Sequence, residues 1–69
     1  MSIIYSDHAE KRRKQRGLSK LEVEHILEYP SYIKKSFDGR KEAVGKIRNR
    51  DVKVVFIEEE NYIKIITVI

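Results

Sequence analysis

The sequence predicts an α+β domain: two N-terminal helices packed on an antiparallel meander sheet of about four strands. Three observations carry that expectation. The 69 residues suffice for one core only, since typical domains run to roughly 100 residues or more, so residues 1–69 are read as a single domain. Apolar residues recur at helical spacing before Pro30 and at alternate positions from Tyr32 onward. Capping and turn residues fall at the boundaries of those stretches.

Taken in order, Ser2 to Tyr5 can add a short edge strand. Ser6-Asp7 then precedes a polar, helix-favouring run from His8 to Arg16, and Gly17 offers a left-handed C-terminal cap. Ser19-Lys20-Leu21-Glu22 is a capping box flanked by Leu18 and Val23 as a hydrophobic staple, so a second helix starts at Ser19 and stops at Pro30. Val23, Ile26 and Leu27 share one side of it, and Glu22, Glu24 and Glu28 cover much of the rest. Strands are expected near 32–37, 41–48, 52–57 and 62–68. The breaks fall at Asp38-Gly39, Asn49-Arg50-Asp51 and 58–61. Asp38-Gly39 is the strongest turn signal, because a type I′ hairpin needs positive φ at both central positions. The last two strands are almost continuously apolar and are expected at the centre of the sheet, covered by helices or a partner.

A hydrophobic fraction of 41% is too high and too patterned for a disordered chain, even with 38% charged residues. A core of this size supplies only about 3–5 kcal/mol. Without Cys, neither disulfides nor thiolate metal sites can supplement it, and the two histidines, His8 and His25, are isolated, so no metal or other cofactor is expected. A homodimer or another partner is the expected supplement. Apolar runs are far short of the ~20 residues that span a bilayer, and no basic region precedes an apolar block, so a cytoplasmic location is expected and no membrane partner.

Net charge is +4 and the isoelectric point about 9.5, but the distribution says more. Six cations and no acid lie between Lys11 and Lys20; eight more, against three acids, lie between Lys34 and Lys53. If the first helix and the first hairpin share a face, the resulting positive field suits phosphate groups. Between residues 8 and 16 only Ala9 is plainly apolar, and His8, Arg12 and Arg16 recur every four residues along one helix face. The bland alternative is a solvated face whose arginine stems lie over apolar surface. His25 is read as a core or surface histidine. Tyrosines are read mainly as packing, with Tyr32 and Tyr62 noted because each begins a strand. Glycine-rich phosphate loops, nucleophile elbows and paired acidic metal motifs are absent from the sequence.

The residues His8-Ala9-x-x-Arg12-x-x-x-Arg16-Gly17-Leu18-Ser19, followed by Glu22-Val23, Leu27, Pro30, Gly39-Arg40, Val52 to Phe56 and Ile65 to Val68, resemble a bacterial and archaeal family of small proteins. That family is carried as a domain of unknown function and looks like a distant relative of the RelE, ParE and BrnT toxins. The resemblance covers nearly the whole chain, and its most specific piece is the H-A-x-x-R-x-x-x-R-G segment. It implies a RelE-like fold of two helices against an antiparallel sheet, a neighbouring antitoxin as partner, and RNA as target in the active relatives. Arg40 and Arg50 match family positions, whereas Asn49 stands where many relatives carry Gly. The toxins share no invariant catalytic set.

Metal-independent RNA cleavage needs a base for the ribose 2′-OH, cations for the phosphorane, and an acid for the 5′ oxygen. Guanidinium groups grip two phosphate oxygens at once and stay charged. His8 is the candidate general base, since imidazole titrates near neutrality. Arg40 and Arg50 are candidates for transition-state stabilisation, and Lys46 or Tyr62 for the proton donor. Lys11, Arg12, Arg13, Arg16, Lys34, Lys35 and Arg48 are candidate RNA contacts. The expected function is therefore a toxin-like endoribonuclease of a type II toxin-antitoxin system, acting on mRNA, with the ribosome as a candidate place of action. A non-catalytic RNA-binding module and a protein-interaction module are the alternatives. DNA is less favoured, because no helix-turn-helix pattern is evident.

Overall fold

Two serines begin the helices. In the computed structural model, which describes residues 2–69, Ser6 caps α1 (Asp7–Gln15), its Oγ accepting a hydrogen bond from the Ala9 N–H at 3.0 Å. The helix ends at Gly17, whose φ is +69°. There Leu18 N–H donates to the Arg13 carbonyl and Gly17 N–H to that of Lys14, both at 3.0 Å, the bond pair of a left-handed cap. α2 (Lys20–Glu28) carries the expected capping box: Glu22 N–H donates to Ser19 Oγ at 3.1 Å and Ser19 N–H to Glu22 Oε1 at 2.8 Å. Leu18 and Val23, the staple pair, are both buried.

The strands are β1 (Ser2–Tyr5), β2 (Tyr32–Lys35), β3 (Lys41–Ile47), β4 (Arg50–Glu58) and β5 (Tyr62–Val68), in the sheet order β1-β5-β4-β3-β2. The expected meander forms over β2 to β5, with β4 and β5 inside the sheet. Ser2–Tyr5 adds a fifth strand parallel to β5, Ser2 opposite Tyr62 and Tyr5 opposite Ile65, so the sheet is mixed rather than purely antiparallel. A parallel neighbour cannot be joined by a tight turn. Both helices and three strands intervene, and no local residue pattern announces such a pairing.

Asp38 and Gly39 take φ +59° and +73°, and Arg40 N–H closes the turn on the Phe37 carbonyl at 3.2 Å, as the type I′ reading required. The next turn differs from expectation. It sits at Arg48-Asn49, with φ +51° and +67°, rather than at Asn49-Arg50-Asp51, and β4 consequently starts at Arg50. An arginine is an uncommon choice for the left-handed region; its side-chain bonds, described below, compensate for the backbone strain.

Both helices pack on one face of the sheet. Ile26 of α2 lies over Gly45, and the same face buries Ala43, Ile47, Val52, Val54, Phe56, Ile65 and Val68 with Leu18 and Val23. α1 contributes a single buried residue, Ala9. Hydrogen bonds to the outer part of β5 hold it as well: Ser6 Oγ donates to the Ile66 carbonyl at 2.9 Å and Arg12 Nε to that of Val68 at 3.4 Å. Tyr5 ties β1 to α2, its hydroxyl donating to Glu24 at 3.1 Å. Burial, reinforced by the Glu24 charge, pushes ionisation of that hydroxyl well above the ordinary tyrosine range. Among the described residues, no helix lies on the opposite face of the sheet.

Two outcomes are expected. Gly17→Ala should lower unfolding free energy by about 1 kcal/mol, read from urea midpoints, because its φ disfavours a Cβ. Glu10 is held below the ordinary glutamate value by its bond from Arg13, and Glu22 by the Ser19 N–H and then the Arg48 charge. The folded state thus binds these protons less tightly than the unfolded chain. Their contribution is complete above the ordinary value of 4.5 and is lost as pH falls below it. The melting temperature should fall on that acid limb, and Glu22→Gln should flatten the fall.

Candidate nucleic-acid interface

The two basic stretches meet at the C-terminal end of α1. Arg50 donates to the Arg16 carbonyl at 2.8 Å and Arg48 to the Gly17 carbonyl at 3.2 Å. Arg48 also pairs with Glu22 at 3.3 Å. Carbonyls at a helix C-terminus lack intrahelical partners and carry partial negative charge, so guanidinium donors from the β3–β4 turn satisfy both needs.

Beside this junction lies an open groove of about 520 Å³, lined by Arg16, Ser31, Tyr32, Val44, Lys46, Asp51, Val52, Lys53 and Ile69. Strand alternation explains most of that set. Tyr32 stands opposite Val44, Val44 opposite Lys53, and Lys46 opposite Asp51, and all five point to the helix-free face. Ile69 extends the β4–β5 pairing through two backbone bonds with Lys53, at 2.9 and 2.8 Å. Arg16 reaches the groove from the end of α1. The side chains of the lining supply three cations against the one side-chain carboxylate of Asp51, and Tyr32, 55% exposed, offers an aromatic face at the rim. Next to it Glu42, largely buried, lies between Lys53 at 3.4 Å and Lys34 at 3.7 Å, so part of the Lys53 charge is already compensated.

The candidate catalytic residues divide. Lys46 lies in the groove and Arg50 adjoins it. His8 is exposed in the first turn of α1, eight residues and hence about 12 Å along the helix from Arg16. Tyr62 begins β5, about 23 Å of extended strand from Ile69. Arg40 lies in a smaller hollow of about 220 Å³ with Lys35, Ser36, Gly39 and Lys41. The five therefore do not form one centre.

Among the candidate RNA contacts, Arg16 lines the groove and Arg12 lies along the end of β5. Lys11 is exposed. Arg13 is committed to structure, bonding Glu10 at 2.5 Å and the Leu18 carbonyl at 2.7 Å. Arg48 serves the helix junction, Lys34 pairs with Glu42, and Lys35 belongs to the smaller hollow.

Sequence reasoning missed Ser31, Val44, Asp51, Lys53 and Ile69 as parts of the groove. The signal was the turn. Once Arg48-Asn49 is taken as the two-residue loop, register alone sets Lys46 against Asp51 and Val44 against Lys53. Among the described residues, no group of three or more His, Cys, Asp or Glu side chains gathers into a metal-sized cluster, and no helix is long and apolar enough to cross a membrane.

A family model described as a domain of unknown function, DUF4258, matches residues 5–69. Comparison with curated proteins and with solved structures finds no match.

Neutralising Glu42 should free Lys53 to act on a ligand. Glu42→Gln is expected to elute from a heparin column at higher salt than the native protein; unchanged elution would show that Glu42 does not compete for that ammonium.

Proposed function

The chain belongs to the DUF4258 family, and with that as premise we propose that it binds single-stranded RNA, the phosphodiester backbone lying in the groove between Arg16, Lys46 and Lys53. The convergence of cations from two separate basic stretches of the sequence on one open groove carries this reading. Arg16 supplies a planar fork for phosphate oxygens, and the two lysines act as point charges. Tyr32 and Val44 give a base an aromatic face and an apolar floor, the combination that suits unstacked nucleotides rather than a duplex. The His8-to-Ser19 segment resembles a family that looks like a distant relative of the RelE, ParE and BrnT toxins, and that supports RNA as the polyanion. It also supports a toxin's role in the cytoplasm beside an antitoxin partner.

Cleavage is the second reading, favoured by Lys46 standing directly opposite Asp51 in that groove. Asp51 would take the proton from a ribose 2′-OH as its oxygen attacks phosphorus. Lys46 would give a proton to the departing 5′ oxygen as the P–O5′ bond breaks. The products are a 2′,3′-cyclic phosphate and a 5′-hydroxyl, and Arg16 stabilises the charge on the phosphorane. In this scheme Asp51 takes the role expected of His8, and Lys46 keeps its expected role as proton donor, with no part for Tyr62.

The double variant Arg16→Ala, Lys46→Ala is expected to bind a labelled single-stranded RNA roughly 100-fold more weakly, about tenfold for each charged contact. Its plot of log affinity against log salt should be shallower by about 1.4, since each phosphate contact on a single strand contributes about 0.7. Unchanged affinity and slope in a variant that melts normally would reject the groove as the RNA site. Incubation of 5′-labelled RNA with excess protein in EDTA separates the two readings. Cyclic-phosphate ends that disappear with Asp51→Asn establish cleavage, and intact RNA leaves a binding module.

A further inference from the structure

The hairpin tip between β2 and β3 contains an electrostatic arrangement that the groove does not use. Lys35 and Lys41 are directly opposite one another across the two strands, and Arg40 follows in the same small hollow. Like charges placed opposite each other on a sheet are destabilising. Of the three, only Lys41 has a carboxylate, Glu58. Asp38, in the turn itself, makes no ion pair with any of them among the described residues. The Arg40 guanidinium carbon lies 5.9 Å from the centre of the exposed Phe37 ring. Its Nε is turned inward, buried and without an acceptor. A guanidinium beside an aromatic face and bound to no acid keeps its two terminal nitrogens free for a planar, two-point ligand.

We propose that this hollow is a phosphate-binding site, in which one dianionic phosphate group sits between the Arg40 guanidinium and the Lys35 ammonium. Its volume of about 220 Å³ admits such a group. Lys35 and Arg40 carry two charges that no carboxylate pairs among the described residues, and two unpaired cations match a phosphate dianion better than a carboxylate or a backbone phosphodiester, each of which carries one. Ser36, in the same lining, adds a hydroxyl. The site is separate from the groove: Lys41 and Lys46 are five residues apart on β3, about 17 Å, and point to opposite faces. The phosphate is supplied either as the free ion or as the 5′-terminal phosphate of an RNA. The second source rests on the RNA reading above, and the first does not.

The test titrates the full chain with inorganic phosphate while following the amide resonances of Ser36, Gly39 and Arg40. Saturable shifts are expected, stronger at about pH 8 than at about pH 6, because inorganic phosphate gains its second negative charge between those two values. Phosphate should raise the native melting temperature. Arg40→Ala should abolish both effects while melting no lower than the native chain in phosphate-free buffer, since it removes a repelling charge; Arg40→Lys should retain part of the binding. Shifts that fail to saturate, or that persist in Arg40→Ala, overturn the site. A 5′-phosphorylated RNA that binds about tenfold tighter than its 5′-hydroxyl twin, with the difference lost in Arg40→Ala, assigns the RNA terminus as source. Equal binding of the two RNAs, with saturable phosphate shifts, assigns the free ion. If no RNA binds at all, the groove reading fails and the phosphate titration still decides the hairpin site.

Discussion

The join between the β3–β4 turn and the end of α1 is the constraint on which the rest of the molecule depends. Arg48 and Arg50 each place a guanidinium on a terminal helix carbonyl, and Arg48 does so from a left-handed backbone position. Two cation-rich stretches would otherwise repel one another. They are brought together because the groups they meet are partial negative charges rather than each other's side chains. The same join sets Arg16 beside β4, and so creates the groove.

A sheet covered on one face only is the second determinant. Alternation sends Ala43, Gly45 and Ile47 of β3 under α2, and sends Glu42, Val44 and Lys46 to the open side. The apolar half of each strand secures the fold, and the other half is released to carry charge. Lys34, Glu42 and Lys53 link three neighbouring strands by ion pairs, the second of them diagonal, so even this surface is partly ordered by its own charges. α1 follows a related logic. With Ala9 as its one buried residue, it is positioned mostly by hydrogen bonds to β5, and Lys11 and Lys14 stay at the surface.

Features written in consecutive residues were legible from sequence. Ser6, the Ser19 box, Gly17 and Asp38-Gly39 announce their structures through local capping bonds and tolerance of positive φ, and each was found where expected. Features that depend on distant partners were not. The parallel seat of Ser2–Tyr5 requires knowing where β5 lies. The groove requires knowing the exact loop between β3 and β4, and Arg48 conceals it by occupying a conformation better suited to Gly or Asn. The helical stripe His8, Arg12, Arg16 was legible as a stripe. Its division into an exposed histidine, an arginine along β5 and an arginine in the groove follows from how the helix crosses the sheet.

The position of β1 also bears on the order in which the molecule assembles. Its partner residues lie 60 positions away, Ser2 against Tyr62, whereas β2 to β5 are joined by neighbouring hairpins. Contacts of such separation form late, because loop closure must be met before they reward it. During synthesis a ribosome would release the four-strand meander's last member before the first strand could dock, leaving the outer edge of β5 open until that moment.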